Sequence, residues 1–169
     1  MAHVVFKLGD DVSTDIIYPG RFMATVLPSE TPQFAFADFP EFNAAIKKKE
    51  FAPGSVIEAG RNFGCGSSRE QAASCLKAPG FVVVARSFAR IFLQNSINLG
   101  LKTVICPALE AEVGDELEIV GGRVINRTSG KEFNLVPLPR ARQAIIDAGG
   151  LIPFTRQRIL EKNREYNTR

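Results

Sequence analysis

The chain has 169 residues, of which 45% are hydrophobic and 23% charged, and its formal net charge is +3. This length fits one domain over residues 1–169 and is enough to bury a core, and the composition is that of an ordinary globular protein. The basic residues are dispersed except at residues 47–49, where three lysines fit the solvated end of a helix. Nucleic-acid binding would need a basic face with aromatic residues presented for stacking, and no such pattern is present.

Neither a leader nor a membrane span is predicted. The N-terminal MAHVVFKLGDD has no long apolar stretch and no cleavage pattern. No run approaches the roughly 18 apolar residues that cross a bilayer. The three cysteines, Cys65, Cys75 and Cys106, are odd in number and lack CxxC spacing, which is typical of reduced thiols. We therefore expect a cytoplasmic chain with neither membrane nor nucleic-acid partners.

The only histidine is His3, close to the N-terminus. This excludes a Ser–His or Cys–His pair within the chain and most ways of building a zinc site. We expect no metal to be bound by this chain. A catalyst made from it would need either an unusual base or half of its active site from another chain.

Apolar runs alternate with turn residues along the first two thirds of the chain. Strands are predicted over residues 4–8, 55–59, 81–85 and 103–106, and helices over residues 41–49, 68–76 and 87–99. Residues 10–22 are interpreted as a loop, and residues 27–40 as an ordered excursion with one short helical turn. The strand–helix–strand–helix–strand order from residue 55 to residue 106 predicts a right-handed unit of parallel strands.

After Pro107 the pattern changes to short strands joined by hairpin signals. Strands are predicted over residues 115–120, 123–127 and 131–136, followed by helices over residues 139–148 and 151–166. The predicted fold class is therefore α/β, a layered mixed sheet flanked by helices, with an antiparallel addition.

A glycine-rich loop, GRNFGCGSSREQAA at residues 60–73, lies between a predicted strand and a predicted helix. Gly64 and Gly66 would let the backbone approach a ligand, and the first N–H groups of a helix attract anions. The same residues also fit a capping box, with Ser67 as N-cap and Glu70 reaching back. Arg69 favours an anion site, since a guanidinium can clamp a carboxylate and stabilise a serine alkoxide.

Three motifs occur in order, at residues 9–22 (GDDVSTDIIYPGRF), 60–72 (GRNFGCGSSREQA) and 85–101 (ARSFARIFLQNSINLGL). Together they resemble the swivelling β/β/α domain of the aconitase family, and more closely the stand-alone small subunits of the isopropylmalate dehydratase group. The resemblance is firm over residues 4–107. Gln71 stands where the family usually has His, at a position that we expect to be structural.

The resemblance implies a hydro-lyase that moves water across a malate-like C–C bond by way of an alkene and is active only with its large subunit. A [4Fe-4S] cluster on that partner would bind the hydroxyl group, and this chain would bind none. Ser67 would be the catalytic base. Ser68 and Arg69, with Gly66 and Arg21, would bind the carboxylate of a small branched dicarboxylate substrate. The cysteines are then ordinary residues, with Cys65 near the mouth of the site.

The family reads the variable group of its substrate with a loop that corresponds here to Phe22, Met23, Ala24 and Thr25. The homoaconitase type has Arg at the place of Ala24, and alanine cannot pair with a carboxylate. This favours an aliphatic branch and hence 3-isopropylmalate, an intermediate of leucine biosynthesis. Dehydratases of 2,3-dimethylmalate or citramalate and the homoaconitase type remain alternatives, as does a loop that only packs. A non-catalytic anion-binding module is the alternative of another class.

Overall fold

The computed structural model describes residues 2–167 of the chain and side chains as far as Arg164. Met1, Thr168 and Arg169 lie outside the described residues. Seven strands form one sheet: β1 (Ala2–Lys7), β2 (Val56–Ala59), β3 (Val82–Ala85), β4 (Lys102–Ile105), β5 (Glu116–Val120), β6 (Arg123–Asn126) and β7 (Glu132–Asn134). The helices are α1 (Thr14–Ile17), α2 (Pro40–Lys47), α3 (Gln71–Lys77), α4 (Arg90–Leu99), α5 (Arg140–Asp147) and α6 (Leu151–Asn167).

The strand order is β4-β3-β2-β1-β5-β6-β7. Strands β1 to β4 are parallel to one another, which confirms the predicted α/β unit, while β1 is antiparallel to β5 on its other side. All four residues of β2 and all four of β3 are buried, as expected for central parallel strands that are covered on both faces.

The second half of the sheet is antiparallel and curls back on the first. Strands β5, β6 and β7 pair in two hairpins, as predicted. Beyond β7, the Val136 N–H donates to the carbonyl of Ile105 at 2.8 Å, so the chain reaches β4 again. A valine-rich cluster that includes Val4, Val84 and Leu117 packs on one face of the sheet. A second, aromatic cluster lies on the face covered by helices, and the predicted layered α/β arrangement is therefore confirmed.

Several predicted boundaries are wrong. Residues 10–22 are not only a loop, because Ser13 caps the short helix α1 by accepting the Ile16 N–H at 3.3 Å. Helix α3 begins three residues later than predicted, and so does α4. The last strand is shorter than predicted, at Glu132–Asn134. The short helical turn expected within residues 27–40 is present as a 3-10 turn at Thr31–Phe34.

The parallel strands bring the first two sequence motifs together. The loop after β1 and the loop after β2 leave the same edge of the sheet, as neighbouring parallel strands must. Backbone hydrogen bonds then join the loops: Asp11 N–H to Arg61 O at 2.8 Å, Gly64 N–H to Val12 O at 2.7 Å and Thr14 N–H to Cys65 O at 2.7 Å. This pairing presents Ser67 beside Thr14.

Candidate active site

Ser67 is exposed, and its nearest polar partner is Thr14, whose side chain is buried. The Ser67 N–H donates to Thr14 Oγ1 at 3.1 Å, and the two hydroxyl oxygens lie 3.3 Å apart. The Thr14 hydroxyl also lies 3.3 Å from the Ser67 carbonyl oxygen. Because a threonine hydroxyl can donate one hydrogen bond, Thr14 could donate it to Ser67 Oγ once that oxygen loses its proton. Thr14 therefore fixes the position of Ser67 and has its hydroxyl group within reach of Ser67 Oγ.

The predicted capping box is wrong. Glu70 is itself the N-cap residue of α3 and makes no side-chain cap hydrogen bond, and the helix begins at Gln71. Ser67 lies four residues earlier, so the unpaired N–H groups of the first helical turn do not start at Ser67. The anion-site argument at Ser67 therefore rests on Thr14 and Arg69 rather than on the helix terminus.

The two glycines of the loop, Gly64 and Gly66, pack against different residues, Phe92 and Thr14. Gly64 has φ +81°, and an added Cβ would lie 2.2 Å from Phe92 Cγ, so the missing side chain makes room for α4 rather than for a ligand. This corrects the expectation for Gly64. Gly66 has φ +97°, and an added Cβ would lie 3.3 Å from Thr14 Oγ1. The substrate-binding role of Gly66 stays a prediction.

Arg69 is held from two directions by the loop after β1. Its Nη1 donates to the Asp15 carboxylate and lies 3.3 Å from the Tyr18 carbonyl oxygen. The Arg69 side chain is 18% exposed and that of Asp15 is 58% exposed. Within residues 2–167, Nη2 and Nε of Arg69 have no hydrogen-bond partner. An oriented guanidinium with free N–H groups is suited to binding a carboxylate.

Ser68 is exposed beside Ser67, and α4 holds its backbone. Asn95 Nδ2 donates to the Ser68 carbonyl oxygen at 3.2 Å. The sequence analysis missed both Asn95 and Thr14 as residues that position the serines. Both lie inside the quoted motifs, but only the fold shows that they meet residues 67 and 68.

The structure gives Arg21 a partner of its own. Its guanidinium pairs with the Asp38 carboxylate and lies over the Phe22 ring, 4.7 Å from the ring centroid. The hydrogen bonds from Arg21 hold the pKa of Asp38 below its usual range. A substrate carboxylate at Arg21 would have to compete with Asp38, so the predicted role of Arg21 in substrate binding remains open.

In the predicted specificity loop, Phe22 is packed against a neighbouring ring, whereas Met23 and Ala24 are exposed. The Phe22 ring stacks on Phe34, with 4.2 Å between centroids, while Met23 and Ala24 are exposed. Two residues before this loop, at Gly20, an added Cβ would lie 3.4 Å from Arg69 Nη2. The chain therefore enters the loop directly beside the Arg69 guanidinium, and the exposed Met23 and Ala24 give the loop a small apolar surface.

Tyr18 connects this loop to Arg69. Its side chain is fully buried, and its one hydroxyl proton is shared between the carbonyl oxygens of Phe22, at 3.1 Å, and Thr25, at 3.3 Å. Burial raises the pKa of the Tyr18 hydroxyl above its usual range, with a smaller contribution from Cys75. The group therefore remains a protonated donor. The same residue receives Arg69 Nη1 on its carbonyl oxygen.

The cysteines do not fit a cluster. Cys75 and Cys106 are buried free thiols, and burial raises the pKa of each. Cys65 is half-buried, and its Sγ lies 3.3 Å from the Asp11 carbonyl oxygen. Iron–sulfur ligation needs several thiolates around one point. Over the part of the chain that the structure describes, no three His, Cys, Asp or Glu side chains are grouped to hold a metal ion, and no helix is long and apolar enough to cross a membrane.

Comparisons with known proteins agree on one family. The aconitase C-terminal domain model matches residues 12–108. The 3-isopropylmalate dehydratase small subunit of Thermodesulfovibrio yellowstonii is 44% identical over 161 residues, 92% of this chain and 93% of that protein. The isopropylmalate/citramalate isomerase small subunit of Methanocaldococcus jannaschii is 42% identical over 164 residues, 93% of this chain and 94% of that protein. A crystal structure of 3-isopropylmalate dehydratase from the same organism has a TM-score of 0.86 at 37% identity, covering 96% of this chain and 97% of that one.

The chain belongs to the aconitase C-terminal domain family. Within that family it groups with the small subunits of 3-isopropylmalate dehydratases. The predicted resemblance and the predicted swivelling-domain fold are confirmed. The roles assigned to Ser67, Ser68 and Arg69 stay predictions, because the comparisons name proteins and not residues.

Proposed function

We propose that the chain is the small subunit of a heteromeric hydro-lyase that dehydrates and isomerises a branched malate, with 3-isopropylmalate as the leading substrate. Leucine biosynthesis in the cytoplasm would be its setting, and the free thiols fit such a reducing compartment. The observation that carries the proposal is the exposed Ser67 placed beside Thr14, in a loop whose Arg69 is already oriented.

In this proposal Ser67 removes a proton from the carbon next to a substrate carboxylate. The electron pair left on that carbon forms the double bond as hydroxide departs from the neighbouring carbon. Thr14 would donate a hydrogen bond to the Ser67 alkoxide, and Arg69 would lower its energy by its positive charge. The free Nη2 and Nε groups of Arg69, with Ser68 beside them, would bind the carboxylate and fix which proton Ser67 reaches.

The acceptor for the hydroxide must come from outside the described chain. We propose that a large subunit carries it as an iron–sulfur cluster, because Cys75 and Cys106 are buried and the described residues of this chain bring no three ligating side chains together. The small-subunit names of the relatives support a large-subunit partner.

The exposed Met23 and Ala24 support an aliphatic substrate branch, since they offer no charge to a second carboxylate. Citramalate is the second candidate, because one relative at 42% identity is named an isopropylmalate/citramalate isomerase small subunit. Dimethylmalate and homocitrate-type substrates complete the set to be tested.

The test is anaerobic reconstitution with the large subunit of the same organism, followed by assays on branched malates. We expect hydration or dehydration activity only in the complex, with the highest kcat/KM for 3-isopropylmalate. A complex that forms but turns over none of the substrates would leave the alternative of a non-catalytic anion-binding module. An isolated chain that shows iron–sulfur absorption and turnover would contradict the division of the site between two chains.

A further inference from the structure

A small cleft lies on the exposed side of α4, next to the candidate site. Its volume is about 200 Å³, and it is lined by Arg90, Ile91, Leu93, Gln94, Asn95 and Arg142. Arg142 comes from α5 and the others from α4. Ile91 is 42% exposed, so the cleft combines an apolar side chain with two guanidinium groups.

The two arginines of this cleft lack carboxylate partners. Among the described residues, neither the side chain of Arg90 nor that of Arg142 makes a hydrogen bond or an ion pair. By contrast, four other arginines form ion pairs with carboxylates, among them Arg123 with Glu132 and Arg127 with Glu118. The cleft is therefore a local concentration of uncompensated positive charge, which will attract an anionic group.

Asn95 joins this cleft to the site. The residue lines the cleft and donates to the Ser68 carbonyl oxygen at 3.2 Å. Arg90 lies five residues earlier on the same helix, which is about 7.5 Å along the axis. A standard protein interface covers about 800 Å² of each partner, equivalent to a disc of about 16 Å radius. An interface of this area that is centred on Ser68 would also reach the cleft, because Asn95 both lines the cleft and contacts Ser68.

We propose that Arg90 and Arg142 form a docking point for acidic side chains on the surface of the large subunit. The inference rests on the proposed function, which supplies that subunit. A protein surface fits better than a small ligand, because both arginines are exposed and so is Ile91, which lines the same cleft. Arginine beside an apolar side chain is a common composition of interface regions. Charges in this position chiefly raise the rate of association and fix the orientation of the partners.

The experiment measures association of the purified large subunit with the wild-type chain and with Arg90→Gln/Arg142→Gln. The matched control is Lys47→Gln/Lys49→Gln, which also removes two positive charges and alters a different cleft that shares no lining residue with the cleft at Arg90. We expect the arginine variant to associate about tenfold more slowly at low ionic strength, while the control changes by less than about twofold. The difference in association rate between the two variants should shrink at about 0.5 M salt, where the Debye length is about 4 Å. At saturating large subunit, kcat should equal that of the wild type.

The outcomes separate this inference from the proposed function. Equal association rates for the arginine variant and the lysine control would overturn the docking point. Normal association with a raised KM for substrate would also overturn it, because the arginines would then bind substrate. Failure of the wild-type chain itself to bind the large subunit would remove the proposed function, and this inference with it. Circular dichroism and melting of both variants verify that each is folded.

Discussion

Replacing Tyr18 by Phe would test whether the interior of the chain sets the shape of the specificity loop. The change keeps the buried ring and removes only the hydroxyl that donates to the carbonyls of Phe22 and Thr25. The Phe22 carbonyl keeps the Thr25 N–H at 3.0 Å, so one acceptor retains a donor. The Thr25 carbonyl loses the hydrogen bond that it now accepts from the Tyr18 hydroxyl.

The size of the effect follows from these contacts. A hydrogen bond of this kind contributes about 0.5–1.5 kcal/mol net, and water can reach a half-exposed loop, so we expect a loss of about 1 kcal/mol. For a chain of this length that lowers Tm by about 2–4 °C. If the loss is confined to the loop, the fraction of molecules with a displaced loop rises about fivefold. The ratio of kcat/KM for 3-isopropylmalate over a homocitrate-type substrate should then fall by up to about fivefold, mainly through KM.

The assay uses the reconstituted complex, with Ser55→Ala as the matched control. The buried Ser55 hydroxyl donates to the Ala52 carbonyl at 2.7 Å, at the opposite end of β2 from the candidate site. Its loss should lower Tm similarly and leave the substrate ratio unchanged. Equal substrate ratios for the two variants would refute the reasoning, because Tyr18 would then contribute only stability.

Four further variants test the site itself. Ser67→Ala should lower kcat by several orders of magnitude. The free energy of unfolding should fall by less than about 0.5 kcal/mol, since Ser67 is exposed and caps no helix. A kcat within about tenfold of wild type would place the base elsewhere. Arg69→Lys should raise KM about tenfold by losing the planar guanidinium, with titration of substrate against initial rate as the measurement. Gly64→Ala should lower the free energy of unfolding by about 3 kcal/mol or more in denaturant titration, whereas Gly122→Ala, with φ +79° and no heavy atom within 4 Å of the added Cβ, should cost only about 1 kcal/mol. Ala24→Arg should shift the kcat/KM ratio of 3-isopropylmalate over homocitrate about tenfold toward homocitrate, and an unchanged ratio in an assembled complex would mean that Ala24 does not face the substrate branch.

The strands were predictable because their signal is local. The apolar run at Val82–Ala85 is buried on both faces, and the glycine-rich turns of the second half join antiparallel strands. The start of α3 was not predictable in the same way. The capping pattern is also local, but Ser67 and Ser68 bind Thr14 and Asn95, which are 53 and 27 residues away. Those tertiary contacts hold the serines outside the helix.

In the candidate site, too, the sequence predicts what depends on local pattern and not what depends on tertiary contacts. The motifs identify Ser67 and Arg69 by residue type, but nothing in the order of the residues shows that Arg69 meets Asp15 and the Tyr18 carbonyl. Tyr18 is the clearest case, because the sequence places it in a predicted loop and gives no sign that its side chain is buried. Only the fold shows that its hydroxyl turns toward Phe22 and Thr25.

The ion pair between Arg69 and Asp15 determines what a partner subunit has to contribute. Because Asp15 is 58% exposed, a carboxylate that reaches Arg69 on the isolated chain competes with Asp15 and with water. The same charges attract several times more strongly when water is excluded, since the effective dielectric constant falls. A serine alkoxide at Ser67 depends on positive charge for the same reason. Covering this loop with a second protein surface would therefore strengthen the attraction of Arg69 for a substrate carboxylate, for a Ser67 alkoxide and for Asp15 alike, so the gain for substrate binding and proton removal is largest if that surface also offers Asp15 a partner of its own.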